Sequence, residues 1–197
     1  MKKLQYNSPV ILSFFLLSLL ALLLGYVTGG RSTALVFSVY RFPWKNVLGY
    51  VRLFGHVLGH ADWQHFIGNM LLLLVVGPPL EEKYGSRALL AGILITALVT
   101  GGLQCLLFGR AALLGASGVV FMLIMLSSFA GMREGRIPLT LILVAVLYLG
   151  QEILSPCSYR IMWQISCIWP AVSSVPVTAS FCAAAHKAAP DKNRENE

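Results

Sequence analysis

The chain has 197 residues, of which 57% are hydrophobic and only 12% are charged, whereas soluble domains carry about 25% charged residues. This balance and a mean hydropathy of +0.74 exclude an ordinary water-exposed surface, and they predict one domain that is mostly embedded in a lipid bilayer. The formal net charge of +7 is expected from lysines and arginines that flank membrane spans, and not from a nucleic-acid-binding surface, because no basic run is interleaved with aromatic residues.

Long apolar runs, most of them near the 20 or so residues that a helix needs to cross a bilayer, define the predicted elements in chain order. The first span is predicted near residues 9–28, because the uncharged run is too long for the apolar core of a signal peptide and more spans follow it. The later spans are predicted, in order, at 66–80, 88–109, 111–132, 137–151 and 161–185. The sequence therefore predicts an all-α membrane protein with six transmembrane helices, organised as an N-terminal segment with the first helix (1–30), a membrane domain (31–185) and a polar C-terminal tail (186–197).

The distribution of positive charge predicts the orientation of the chain. Lysines and arginines number nine in the segments on the N-terminal side of the membrane and six on the other side, which favours a cytoplasmic N-terminus. The long loop 29–63 then lies on the outer side, where its aromatic residues suit an interfacial position. These residues are Phe42, Trp44, Tyr50 and Trp63.

Polar residues inside membrane spans are costly and are therefore functional candidates. His65 and Asn69 of the second span stand four residues apart on one helix face, although hydrogen bonds between helices would also account for them. The fourth span opens with a Gly-Ala-Ser-Gly sequence at 115–118. Its small residues would allow close helix packing, and a serine in a membrane helix commonly bonds to its own backbone.

The predicted orientation brings these polar groups together. The second and fourth spans both run from outside to inside, so His65, Asn69 and Ser117 all lie near the outer surface. Three polar groups at one depth are tolerated if a water-filled cavity opens there. The combination therefore indicates a site more strongly than any one of the residues does.

The order and spacing of these motifs carry a family resemblance. Spaced histidines precede an HxxxN pattern in the second span, an acidic residue and a glycine follow that span, and a GxSG sequence opens the fourth. The residues concerned are Arg52, His56, His60, His65, Asn69, Glu81, Gly85, Gly115, Ser117 and Gly118. In this combination, residues 50–154 resemble the rhomboid intramembrane serine proteases.

The resemblance implies a six-helix rhomboid bundle that hydrolyses peptide bonds in the transmembrane segments of substrate proteins within the lipid bilayer. Ser117 would attack the scissile carbonyl, and a histidine on the sixth span would take its proton as the second member of a dyad. His65, Asn69 and the Ser117 backbone N–H would hold the oxyanion. No cofactor and no metal ion are implied, and the residues with structural roles would be Arg52, His56, His60 and Glu81.

The C-terminal part of the chain departs from the family pattern. The family carries its base in a pattern like AHxxG on the sixth span, whereas residues 155–185 contain neither histidine nor glycine. The candidate base is then His186, which lies about 37 Å beyond the predicted outer end of the sixth span at about 1.5 Å per residue. A dyad needs a separation of about 3 Å. The last helix is therefore atypical, and a reading-frame slip near residues 155–166 is one explanation.

Three functions are compatible with these patterns. An intramembrane endopeptidase requires cleavage that depends on Ser117, and the family resemblance favours it, in a multi-pass protein of the plasma or inner membrane of a prokaryote. A catalytically inactive rhomboid-like protein that binds membrane clients would explain the missing base. A small transporter or channel has less support, because the only acidic residue at a span is Glu152, at the end of the fifth.

Overall fold

The computed structural model describes residues 8–43, 45–108, 112–131, 139, 142–143, 146–147 and 150. In chain order the elements are α1 (Pro9–Val27), α2 (Arg31–Leu35), α3 (Val47–Gly55), a 3₁₀ helix (His56–Leu58), α4 (Trp63–Tyr84), α5 (Ser86–Leu107) and α6 (Ser117–Gly131). These described ranges hold no strand beyond an isolated two-residue bridge, which agrees with the predicted helical class. The sixth predicted span, His186 and the polar tail lie outside the described residues, as does most of the fifth span.

Two helices of the described ranges, α1 and α5, are long and apolar enough to cross a membrane. Both expose rows of leucines on their outward faces, namely Leu16, Leu17 and Leu20 on α1 and Leu90, Leu94 and Leu98 on α5. Contiguous apolar surface of this kind is unfavourable in water and is favourable against lipid chains. The exposed faces therefore agree with a helical membrane fold.

α4 and α5 form a tight antiparallel hairpin. α4 begins after Asp62, whose Oδ1 accepts a hydrogen bond from the His65 backbone N–H at 2.8 Å. Such an N-cap satisfies one of the N–H groups that the first turn of a helix leaves unpaired. α4 ends at Gly85, which also precedes the first residue of α5. The φ of Gly85 is +84°, a value that glycine adopts without steric cost.

Glu81 joins the C-terminal end of α4 to the N-terminal end of α1. Its Oε1 accepts hydrogen bonds from the Val10 N–H at 2.9 Å and the Ser86 hydroxyl at 2.7 Å, and its Oε2 accepts one from the Ile11 N–H at 3.0 Å. The side chain is only 3% exposed. The first N–H groups of a helix lack partners within the helix and carry the positive end of its dipole. A buried carboxylate is therefore well matched to the start of α1.

α6 lies at the centre of the described bundle. Val119, Leu123 and Ile124 are fully buried, and α6 packs against both α4 and α5. A helix that is apolar on all sides is expected at such a central position.

The start of α6 differs from the prediction that the fourth span begins at 111. Residues 112–116 are not helical, because Leu113 exchanges two backbone hydrogen bonds with Val39, at 2.9 and 2.8 Å. An apolar run has the same composition whether it is helical or extended, so composition alone does not place this boundary.

The loop between α1 and α4 folds around a buried arginine. Arg52 is 4% exposed, and its Nε donates a hydrogen bond to the Leu35 carbonyl at 2.8 Å. Its guanidinium carbon lies 4.5 Å from the centroid of the Tyr40 ring, within the range of a cation–π contact. The opposite face of α3 is apolar and exposed, as expected for an amphipathic loop, and includes Val47, Tyr50 and Val51.

Candidate active site

Ser117 is the first residue of the central helix α6 and is 5% exposed. The first N–H groups of a helix have no acceptor within the helix and carry the positive end of its dipole. The Ala116 carbonyl accepts the Val120 N–H at 2.9 Å, so regular helical bonding starts directly beside Ser117. A hydroxyl at this position stands next to backbone groups that suit a developing negative charge.

Gly115 brings the side chains of His65 and Ser117 together. A Cβ on Gly115 would lie 2.9 Å from His65 Cε1, 3.0 Å from His65 Nε2 and 3.7 Å from Ser117 Oγ. The imidazole and the hydroxyl therefore border the same small space. The φ of Gly115 is +132°, which side-chain-bearing residues rarely adopt. Both the space and the backbone conformation thus require glycine at the first position of the GxSG sequence.

Gly118 has a different role from Gly115. A Cβ at Gly118 would lie 3.2 Å from the Thr100 Cγ2 atom and 3.6 Å from the Thr96 Cγ2 atom. The second glycine of the GxSG sequence therefore allows α6 to approach α5 closely.

Asn69 and His65 occupy the N-terminal part of α4, one turn apart. Asn69 is 1% exposed, and its Nδ2 donates a hydrogen bond to the His65 backbone carbonyl at 3.0 Å. This bond fixes the orientation of the amide within the bundle. The structure therefore brings His65 to Ser117 and places Asn69 one turn further along α4.

His56 is buried between the loop and α5. Its Nδ1 lies 3.0 Å from the Leu53 carbonyl and its Nε2 lies 3.0 Å from the Thr100 hydroxyl. A carbonyl only accepts, so in the neutral ring Nδ1 carries the proton and Nε2 is an unprotonated nitrogen beside the Thr100 hydroxyl. The His56 backbone carbonyl in turn accepts the Gly115 N–H at 2.9 Å. His56 thus connects α5 with the residues that precede Ser117.

His60 lies in the short loop before α4 and is also buried. Its Nδ1 lies 3.1 Å from the Leu58 carbonyl, and its ring meets the His65 ring edge to face at 5.1 Å between centroids. Burial lowers the pKa of His60 to about 4, so that its ring is neutral at pH 7. His60 therefore contributes shape rather than charge beside His65.

The predictions from sequence did not include a row of buried polar residues on α5. Thr96, Thr100 and Gln104 recur every four residues in an otherwise apolar helix and are all buried. The Thr96 and Thr100 hydroxyls lie 2.8 Å from the Gly92 and Thr96 carbonyls of their own helix. Their four-residue spacing was a signal that one helix face turns towards other polar groups.

Arg52 and Glu81 lie away from Ser117 within the loop and at the far end of α4, and His186 lies outside the described residues. In the part of the chain that the structure describes, no three His, Cys, Asp or Glu side chains are grouped so that they could hold a metal ion.

Comparisons with known proteins show which family the chain is similar to. A family model described as the Rhomboid domain matches residues 48–176. A protein described as rhomboid protease GlpG, from Pectobacterium atrosepticum, is 30% identical over 150 residues, which cover 74% of this chain and 53% of that protein. The chain thus spans about half the length of this relative.

Proposed function

This chain belongs to the rhomboid family, and from that premise we propose that it is an intramembrane serine endopeptidase. Its substrates are membrane proteins, and the bond that it cleaves lies in or beside a transmembrane segment. The proposal includes six spans, a cytoplasmic N-terminus and a location in the plasma or inner membrane of a prokaryote.

The observation that carries the proposal is the meeting of His65 and Ser117 at Gly115. The two side chains come from different helices, and both lie within van der Waals reach of the position that a Gly115 Cβ would take. Gly115, with φ of +132°, has no side chain to separate the two groups. The arrangement puts an imidazole ring close to a hydroxyl at a helix N-terminus, which supports acyl transfer.

In the proposed reaction, Ser117 Oγ attacks the carbonyl carbon of the scissile bond. The negative charge that develops on the carbonyl oxygen is held by the His65 side chain, the Asn69 side chain and the Ser117 backbone N–H. Each such donor contributes about 10²–10³ in rate when it is directed at the charge of the transition state.

The proton of Ser117 passes to a base in the segment beyond residue 150. His186 is the histidine of that segment, and in this proposal it serves as the base only if the sixth span is broken or re-entrant, because a simple crossing would leave it about 37 Å from the outer end of that span. The other histidines have different roles in the proposal, since His56 and His60 are held by backbone carbonyls and His65 faces the oxyanion.

A second candidate function is a catalytically inactive rhomboid-like protein that binds membrane proteins. The observation that favours it is the lack of histidine in residues 155–185. Translating the other two frames of the gene across residues 155–166 separates the two candidates. A frame that encodes a histidine followed by spaced glycines would identify the base of a peptidase whose reading frame has slipped.

The direct test is cleavage of a model transmembrane substrate in proteoliposomes by the wild-type chain and by Ser117→Ala. Ser127→Ala, a change of the same type on the same helix α6, is the matched control. We expect wild type and Ser127→Ala to cleave and Ser117→Ala to lose activity. Cleavage that persists in Ser117→Ala would exclude this serine as nucleophile, and an inactive wild type would favour the second function.

A further inference from the structure

A stretch of the loop after α2, residues 35–41, forms a strap across the outer part of the bundle. Arg52 contacts both ends of the strap, through the Leu35 carbonyl and the face of Tyr40. Two glycines let it pass close to the turn before α4, because a Cβ on Gly55 or Gly59 would lie 2.6 or 2.2 Å from a strap carbonyl oxygen. The strap is therefore fixed to the loop before it reaches the candidate site.

The strap then pairs with the segment that precedes Ser117. Val39 is fully buried and exchanges both backbone hydrogen bonds with Leu113. Two residues further on, Gly115 donates its N–H to the His56 carbonyl and borders His65 and Ser117. The pairing of Val39 with Leu113 thus sets the register of the backbone on which Gly115 lies.

One pair of residues is a weak way to hold a register, because isolated strand pairs are marginally stable and a slip of one residue reverses every side chain. The structure places a second attachment next to this pair. Arg41 Nε lies 3.2 Å from the Cys105 carbonyl and its Nη2 lies 3.4 Å from the Leu106 carbonyl. The Cys105 Sγ also lies 3.5 Å from the Tyr40 carbonyl.

The Arg41 guanidinium matches the chemistry of the C-terminal end of α5. Cys105 and Leu106 are in the last turn of α5, where the carbonyls lack partners within the helix and the dipole is negative. A guanidinium that donates two hydrogen bonds there satisfies both conditions. Arg41 therefore connects the end of α5 with the strap, and the strap connects with the segment that leads into α6.

We propose that Arg41 is a positioning residue, which fixes the strap on α5 so that Val39 holds the segment 112–115, and with it Gly115 and Ser117, against His65. The kinetic part of this inference rests on the proposed peptidase function. The structural part stands independently of it.

The experiment compares Arg41→Gln with Arg31→Gln, an exposed arginine of the same loop, and with Arg41→Lys. The first readout is amide hydrogen exchange of the full-length chain in lipid nanodiscs. In Arg41→Gln we expect peptides that contain residues 112–116 to exchange about tenfold faster. Arg31→Gln should exchange as wild type does, and Arg41→Lys, which keeps the charge with one donor group, should lie between them.

The second readout is cleavage. A displaced reacting group costs up to about 100-fold in rate for a shift of about 1 Å, so we expect kcat to fall at least about tenfold in Arg41→Gln while KM stays the same.

A general loss of folding would lower the amount of active protein, and a covalent bond between Val39 and Leu113 would not correct it. For this reason the third variant adds Val39→Cys and Leu113→Cys to Arg41→Gln, in a chain whose own cysteines are replaced by serine.

Residues that exchange both hydrogen bonds across an antiparallel pair have Cα atoms about 5.5 Å apart, within disulfide range. Oxidation of this variant should restore slow exchange at 112–116 and most of kcat. Unchanged exchange in Arg41→Gln, or a fall in kcat that the cross-link does not correct, would overturn the positioning role. If wild type has no peptidase activity, the proposed function fails, and exchange alone decides whether Arg41 holds the segment.

Discussion

The two ends of α4 both bury polar side chains, but they use them in different ways. At the C-terminal end, the Glu81 carboxylate accepts three hydrogen bonds, two from the start of α1 and one from Ser86. At the N-terminal end, the Asp62 and Asn69 side chains bond to the backbone of α4 itself, while the His65 ring faces Gly115 and Ser117 on another element.

The difference shows that burial alone does not mark a functional polar residue in a membrane bundle. Glu81 satisfies groups that any helix N-terminus presents, so its partners explain it fully as a structural residue. At the N-terminal end, the His65 imidazole and the Ser117 hydroxyl both lie next to Gly115. What separates the two ends is therefore whether a buried polar group is fully used by helix N–H groups and a neighbouring hydroxyl, as Glu81 is, or faces a second reactive side chain, as His65 does.

The largest expected effect is at the His65 end, in the variant Gly115→Ala. Its methyl group would lie about 3 Å from the His65 ring, and the φ of +132° is unfavourable for alanine. We expect cleavage in proteoliposomes to fall about 100-fold, because a small displacement at a reacting centre has an effect of that size. Gly102→Ala on α5 is the control, since a Cβ there meets no atom within 4 Å. Equal rates in the two variants would contradict the assigned role of Gly115.

A smaller effect, on stability, is expected at the other end from Glu81→Gln. The amide keeps one acceptor oxygen where the carboxylate has two, so one N–H at the start of α1 becomes unpaired in a buried place. We expect a loss of about 2 kcal/mol in the free energy of unfolding in detergent micelles. Glu82→Gln, at an exposed neighbour, should change stability little. If Glu81→Gln kept its stability and lost only activity, the structural role assigned to Glu81 would be wrong.

The smallest effect is expected from removing the N-cap of α4. Asp62→Ala should lower the free energy of unfolding by about 1 kcal/mol, whereas Asp62→Asn, which caps equally well, should leave it nearly unchanged. Amide exchange at His65 gives a local check, because its N–H donates to Asp62. An equal loss of stability in both variants would indicate that charge, rather than the cap, matters at this position.

Much of the helical fold could be predicted from the sequence, because long uncharged runs are typical of membrane-spanning helices. The predicted spans 9–28 and 88–109 correspond to Pro9–Val27 and Ser86–Leu107. The bounds of α5 differ from the predicted span 88–109 by two residues at each end. An uncharged run predicts which residues contact lipid, whereas the ends of the helix are set by Gly85 and by the Phe108 N–H, which bonds to the Gln104 carbonyl. The start of α6 at Ser117 depended on pairing with Val39 in a distant loop, which composition does not encode.

The candidate site was predictable only in part for a similar reason. Orientation and depth led from the sequence to His65, Asn69 and Ser117 at one level of the membrane. The contact between the Thr100 hydroxyl and the His56 ring was not predictable, because a threonine in an apolar helix commonly donates its one hydroxyl proton to its own backbone, and the Thr96 carbonyl lies 2.8 Å from the Thr100 hydroxyl. The role of His186 as base stays a prediction.

The hairpin of α4 and α5 has a consequence for how the protein tolerates changes in length. Each helix has 22 residues, and Gly85 alone joins them, so the place of every side chain on either helix is set by its count from Gly85. Inserting one residue in either helix would move everything beyond it by about 1.5 Å and about 100°, and would misalign one wall of the candidate site against the other. The number of residues in each of the two helices is therefore a property that the site depends on, in addition to the identity of its side chains.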